Sequence, residues 1–196
     1  MRREEEASLT SQWEPSSVDF IHARQLFGSV PDWPFFMQQA FRTLRPGGWM
    51  ESFEISVAVS CDDGSVQPGS VLAQWGSFYA AVGERTGCSF TIVDDGVLPP
   101  LMRDVGFVNV HEHRIKCPLT GWMEDKKQRE IGRFNHVAVD EGLEGYALYM
   151  FTTVLGWSVE EVLRVVTLMK KAMRSRKNHG YFWVSVVTAQ KPGGPL

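Results

Sequence analysis

Glu51 and Glu54 stand three residues apart, just behind the turn Pro46-Gly47-Gly48. A carboxylate there can take a proton from an acceptor hydroxyl or amine, which is the work of a general base. The plainer reading is a solvated or paired side chain. His22, Arg24 and Gln25 follow the apolar run that starts at Val18, at and just past the end of a strand. Open α/β sheets bind ligands at the carboxyl ends of their strands. These three are candidate ligand contacts, or simply a polar loop. Trp75, Phe78, Tyr146 and Trp157, with Trp122, Phe134 and Phe151, carry enough ring surface to line an apolar cavity. Each is also an ordinary core residue.

His111 and His113 flank Glu112 and share one face of a strand. Two imidazoles could hold zinc, but no third ligand type lies nearby, so a polar sheet face is the expectation and no metal is assigned. His179 follows a basic helix end, where a cation favours the macrodipole. Lys170, Lys171, Arg174, Arg176 and Lys177 make that end basic. On a chain of net charge −3 they read as a solvated terminus, with no nucleic-acid partner.

The 196 residues fit one domain with room for a core. An apolar fraction of 43% and a charged fraction of 22% are globular values. Cys61, Cys88 and Cys117 are far apart and odd in number, which argues against a disulfide framework. The charged start, Met1 to Glu6, lacks a secretory apolar region. The longest apolar run, Tyr146 to Trp157, falls short of the ~20 residues of a membrane span. A cytoplasmic or nuclear setting and no membrane contact are expected.

Periodicity places the elements. Residues 1–16 form a loose lead-in and 17–191 a domain. Val18–His22 is a short buried strand. Asp32 caps a helix with Pro34 in its first turn and Trp33, Phe36, Met37, Ala40, Phe41 and Leu44 at helical spacing. Pro46-Gly47-Gly48 ends that helix. Trp49–Ser60 alternates as a strand. Ser70 caps a helix that closes near Gly87, and Pro99-Pro100 opens a short one that stops at Gly106. Phe107–Lys116 is a strand. The third quarter is helical, with a break expected near Gly142. Ser158 and Glu161 form a capping box, and Tyr181–Ala189 is a closing strand. Strands alternating with helices predict an α/β layer fold with a helical insertion before the last strand.

Several passages resemble the second half of a class I S-adenosyl-L-methionine (SAM) methyltransferase. Val18–His22 with Ala23-Arg24-Gln25-Leu26 looks like its fourth strand. Arg45-Pro46-Gly47-Gly48-Trp49-Met50-Glu51 looks like the turn and fifth strand, and Asp104-Val105-Gly106-Phe107-Val108-Asn109-Val110 like the entry to the sixth. More narrowly, the chain resembles the fungal LaeA-like methyltransferases of secondary metabolism. His22-Ala23-Arg24, Asp62-Asp63-Gly64, Ala73-Gln74-Trp75, Leu143-Glu144-Gly145-Tyr146, Leu155-Gly156-Trp157-Ser158 and Arg174-Ser175-Arg176-Lys177-Asn178-His179 carry that likeness in order. The resemblance implies SAM as cofactor, with His22, Arg24 and Gln25 along its pocket. It implies methyl transfer to oxygen or nitrogen of a small, largely apolar natural-product intermediate. It also implies the C-terminal part of a Rossmann-like sheet, because the GxGxG turn and the acid after the second strand have no counterpart in the sequence. An N-terminally truncated fold is therefore expected. Its strand 18–22 would be an edge open to self-association or a protein partner. Three other expectations stand beside methyl transfer: a non-methylating remnant serving as partner subunit or regulator, a cofactor-free enzyme such as a cyclase that uses the aromatic cavity, or a gene whose upstream exon encodes the cofactor half.

Overall fold

β1 (Val18–Arg24) and β2 (Leu44–Ile55) run parallel, because α1 (Trp33–Thr43) carries the chain back between them. The computed structural model describes residues 13–193. Of the lead-in expected over 1–16, residues 1–12 therefore lie outside the described part. The Asp32 carboxylate accepts from the Phe35 N–H at 2.8 Å and starts α1. After β2 come α2 (Val71–Thr86), α3 (Leu98–Val105), β3 (Val108–Pro118), α4 (Lys126–Tyr149), α5 (Val159–Arg174) and β4 (Tyr181–Gln190). The sheet order is β1-β2-β4-β3, with β4 antiparallel to both neighbours. The carboxyl ends of β1, β2 and β3 therefore meet the start of β4 at one end of the sheet.

Two cores hold this arrangement. On one face α1 and α3 bury Met37, Leu98 and Met102 against Leu44, Met50 and Val187. At the carboxyl end α2, α4 and α5 form a cap around Leu72, Val82, Leu143, Phe151 and Met169. Phe151 is the hub of the cap, with ring centroids 5.2–5.8 Å from Trp75, Phe78, Tyr79 and Trp157. The opposite sheet face carries His22, Glu51, His111 and His113, with Phe20 57% and Trp49 38% exposed. A groove of about 660 Å³ runs between β1 and α1, lined by Phe20, Ile21, Phe35 and Phe36.

β1 runs on to Arg24 and, as an edge strand, is mostly exposed rather than buried, and β3 runs from Val108 to Pro118. Other boundaries also depart from the sequence reading. α1 stops at Thr43, not at the glycines, because the Leu44 N–H still closes on Ala40 while Leu44 itself pairs with Val18. The next paired residues are Phe20 and Trp49, so Arg45–Gly48 bulge out of β2. Gly47 makes the bulge possible, with a φ of +83° and its N–H on the Lys191 carbonyl at 3.0 Å. β2 ends at Ile55 rather than Ser60, since Ser56 turns back to bond the Ala58 N–H through its hydroxyl. No break occurs at Gly142: α4 is continuous for 24 residues, and the chain leaves it through a π-helical turn at Met150–Val154. The Tyr146 ring occupies the space above Gly142, so the glycine serves packing within the helix. Phe134 and Val137 face outward, 78% and 53% exposed, despite their helical spacing with Ile131.

Candidate functional site

A cleft of about 460 Å³ opens at the carboxyl end of the sheet. Gln25 and Phe27 reach it from the loop after β1, and Ser56 and Val57 from the loop after β2. Trp75 and Tyr79 of α2, with Phe90, form its floor. α4 forms its other wall through Asn135, Ala138, Leu143, Gly145, Tyr146 and Tyr149. Among the described residues, no acidic, basic or histidine side chain lines it. Burial pushes the Tyr79 phenol well above its ordinary range, and the neighbouring Tyr146 phenol adds to that, so Tyr79 stays neutral. Asn135 is oriented by donating its Nδ2–H to the Pro118 carbonyl at 2.9 Å, and its own carbonyl oxygen can accept from a hydroxyl or N–H.

One buried carboxylate positions the mouth of this cleft. Glu54 has no exposed surface. Its two oxygens accept the Leu26 and Phe27 N–H groups, each at 3.1 Å. Burial raises its pKa, and the two backbone bonds offset part of the rise. The Gly28 N–H then goes to the Ser89 carbonyl at 2.7 Å, and the Phe90 ring fills the space beside Gly28. The loop between β1 and α1 is thus pinned from below.

The residues singled out in the sequence divide around this cleft. Gln25, Trp75 and Tyr146 line it. Phe78 and Trp157 do not: they meet edge to face at 5.1 Å, and both contact Phe151 inside the cap. His22, Arg24 and Glu51 lie on the open sheet face, where strand alternation puts them. The His22 Nδ1 is 2.9 Å from Glu51, and the Arg24 guanidinium lies over the Phe53 ring. Glu51 and Glu54 point to opposite faces, and neither is among the described residues that line the cleft. Replacing His22 with alanine should cost less than about 1 kcal/mol in urea unfolding, because its ion pair is half-exposed.

His179 has a different role from the one its helix-end position suggests. Its Nδ1 meets Asp63 at 2.5 Å, and its ring stacks on Trp122 at 4.9 Å. Lys170 and Arg174 pair with Asp140 and tie α5 to α4. Among the described residues, no group of three metal-ligating side chains comes together. Asp63 is held well below the usual carboxylate range by Ser65 and then by His179. A depressed acid contributes stability above its unfolded pKa and loses it as pH falls. The Asp63→Asn variant should therefore show a flatter loss of stability between about pH 4 and pH 2 in acid-unfolding curves.

Sequence reasoning missed Glu54's task, Ser56, Asn135 and the α4 wall. A glutamate alternating among buried residues on β2 (Met50, Ser52) was the available signal for the first.

The cleft fits SAM poorly as a complete site. The backbone N–H groups of residues 26–28 are consumed by Glu54 and Ser89, and the one glycine of that loop faces an aromatic ring. The described residues form an aromatic cleft without a backbone cradle for a nucleoside cofactor.

A parallel β-α-β unit extended by an antiparallel pair, with a cleft at the carboxyl ends, is the C-terminal part of a class I methyltransferase sheet. The chain belongs to the methyltransferase family whose model, described as a methyltransferase domain, matches residues 2–112. It is 33% identical over 174 residues to the methyltransferase pytC of Aspergillus terreus, covering 89% of this chain and 53% of pytC. It is 29% identical over 178 residues to the protein-methionine methyltransferase laeA of Emericella nidulans, covering 90% of this chain and 46% of laeA. Among solved structures it aligns with phosphoethanolamine N-methyltransferase 2 of Haemonchus contortus at a TM-score of 0.46 and 16% identity, over 92% of this chain and 35% of that one. The chain spans about half the length of the curated relatives it matches. No described helix is long and apolar enough to cross a membrane.

Proposed function

We propose that the chain supplies the acceptor side of a SAM-dependent methyltransferase of fungal secondary metabolism. The acceptor is a small, largely apolar intermediate methylated on oxygen or nitrogen. The observation that carries this reading is the uncharged aromatic cleft at the carboxyl ends of β1 and β2. Methyl transfer from a sulfonium needs chiefly positioning. When bound, SAM would supply the electrophilic methyl group. The described residues do the acceptor's part. Trp75 and Tyr79 orient an apolar ring, Asn135 accepts one polar hydrogen, and Tyr146 and Tyr149 of α4, 65% and 63% exposed, flank the open side. Such a chain would work in the cytoplasm or nucleus, beside the pathway it serves.

A second reading is a cofactor-free enzyme, such as a cyclase, in which the cleft shapes a reactive intermediate. The committed N–H groups of residues 26–28 favour it. Calorimetric titration of the 196-residue chain with SAM separates the two. Binding tighter than about 1 mM, roughly −4 kcal/mol, with label passing from the methyl donor to an aromatic alcohol, supports methyl transfer. No heat with SAM, together with turnover of an apolar intermediate in donor-free buffer, overturns it in favour of the cofactor-free enzyme.

A further inference from the structure

α4 contains three glycines, and the structure explains two of them by packing. A side chain at Gly132 would strike the Thr120 carbonyl, with its Cβ 2.1 Å away. A side chain at Gly142 would strike the Tyr146 ring, 2.6 Å away. Gly145 is different: a Cβ there meets none of the described residues within 4 Å. A glycine inside a helix costs about 1 kcal/mol against alanine. No neighbour in the fold requires that cost at Gly145. Gly145 does line the cleft, between Leu143 and Tyr146.

Tyr146 and Gly142 complete the device. Helical side chains lean toward the N-terminus, so residue 146 lies over residue 142. Because Gly142 has no side chain, the Tyr146 ring folds down along the helix rather than standing across the cleft. The outcome is a half-open slot lined by buried Trp75 and Tyr79 and, at its solvent edge, by the bare backbone at Gly145 with Tyr146 and Tyr149, 65% and 63% exposed. Such a slot favours a thin ligand that can lie against rings. The lining carries no charge, so a charged ligand would lose its hydration without a partner.

We propose that Gly145, together with Tyr146 folded onto Gly142, is the specificity-determining feature of the cleft and admits flat, uncharged, multi-ring aromatic acceptors. This rests on the reading of the cleft as the acceptor site. Trp75 in the floor provides the signal. The whole chain is titrated with phenol, 2-naphthol and 9-anthracenemethanol, following tryptophan fluorescence, and with 2-naphthoate as the charged counterpart. The wild type should bind more tightly as rings are added and should bind 2-naphthoate more weakly than 2-naphthol. Gly145→Leu should keep phenol and lose about tenfold or more in affinity for the larger rings. Its melting temperature should stay level or rise, since leucine is a better helix former than glycine. Gly142→Ala, which pushes Tyr146 off its seat, should likewise move the size cut-off downward. Unchanged ring-size preference in a folded Gly145→Leu overturns this inference while leaving the acceptor reading intact. Failure of the wild type to bind any of the neutral rings overturns both. Equal binding of 2-naphthoate and 2-naphthol overturns the claim that the slot selects uncharged ligands.

Discussion

Replacing Phe151 with alanine is expected to lower the free energy of unfolding by about 3–5 kcal/mol. The side chain has no exposed surface and touches four other aromatic rings. It sits in the π-helical turn that joins α4 to the capping loop of α5. Truncation would leave a cavity walled by large rings that have no room to collapse inward. Whole domains are stable by only about 5–15 kcal/mol, so this one change removes a large share. Urea unfolding checks it, with a matched Phe134→Ala control. Phe134 is 78% exposed, and that variant should stay within about 0.5 kcal/mol of wild type. Because Trp75 and Tyr79 rest on Phe151, Phe151→Ala should also weaken ring binding in the cleft. A loss below about 1 kcal/mol would mean that the cap is not packed around this residue.

Removing the Glu54 carboxylate is the second large effect expected. Glu54→Ala leaves two part-buried N–H groups, those of Leu26 and Phe27, without acceptors. Each such loss costs about 1–3 kcal/mol. Glu54→Gln keeps one acceptor oxygen and turns an N–H₂ toward the other amide, so it should fall between wild type and alanine. The pH dependence separates a structural carboxylate from a merely buried one. Burial, the larger cause, raises the Glu54 pKa in the folded chain. A raised acid contributes fully below its unfolded pKa and loses that contribution as pH rises through the folded value. The stability gap between wild type and Glu54→Gln should therefore be widest at acid pH and narrow as pH climbs above the usual carboxylate range. This is opposite in sign to the Asp63 effect, and the two are distinguished by measuring both variants across the same pH series. Amide exchange at Leu26 and Phe27 should speed up in Glu54→Gln before exchange in β2 does.

Local signals were legible in the sequence. The side chains of Asp32, Ser70 and Ser158 each cap a helix, because a cap needs only its own next three residues. The strand ends were less legible, because Leu44 joins the sheet through Val18 and Ile55 leaves it through a turn built on Ser56. The candidate site was readable only in part. Gln25, Trp75 and Tyr146 lie where chain order and ring content place them. Phe78 and Trp157 face inward because α2 and the π-helical turn fix their phase, and no single helix pattern carries that information. Glu54 was visible as a glutamate among buried neighbours, but its partners sit 27 and 28 residues earlier, on another element. The Gly145 notch depends on what does not touch it, which only the packed structure reveals.

The central claim is that the cleft at the carboxyl ends of β1 and β2 receives the acceptor. The most direct measurement is an amide and side-chain NMR titration of the chain with 2-naphthol. The account predicts saturable shifts at Gln25, the Trp75 indole N–H, the Asn135 amide and the Gly145 N–H, with His22, Glu51 and Trp49 unmoved. Shifts confined to the β1–α1 groove at Phe20, Phe35 and Phe36, or none that saturate, would contradict it.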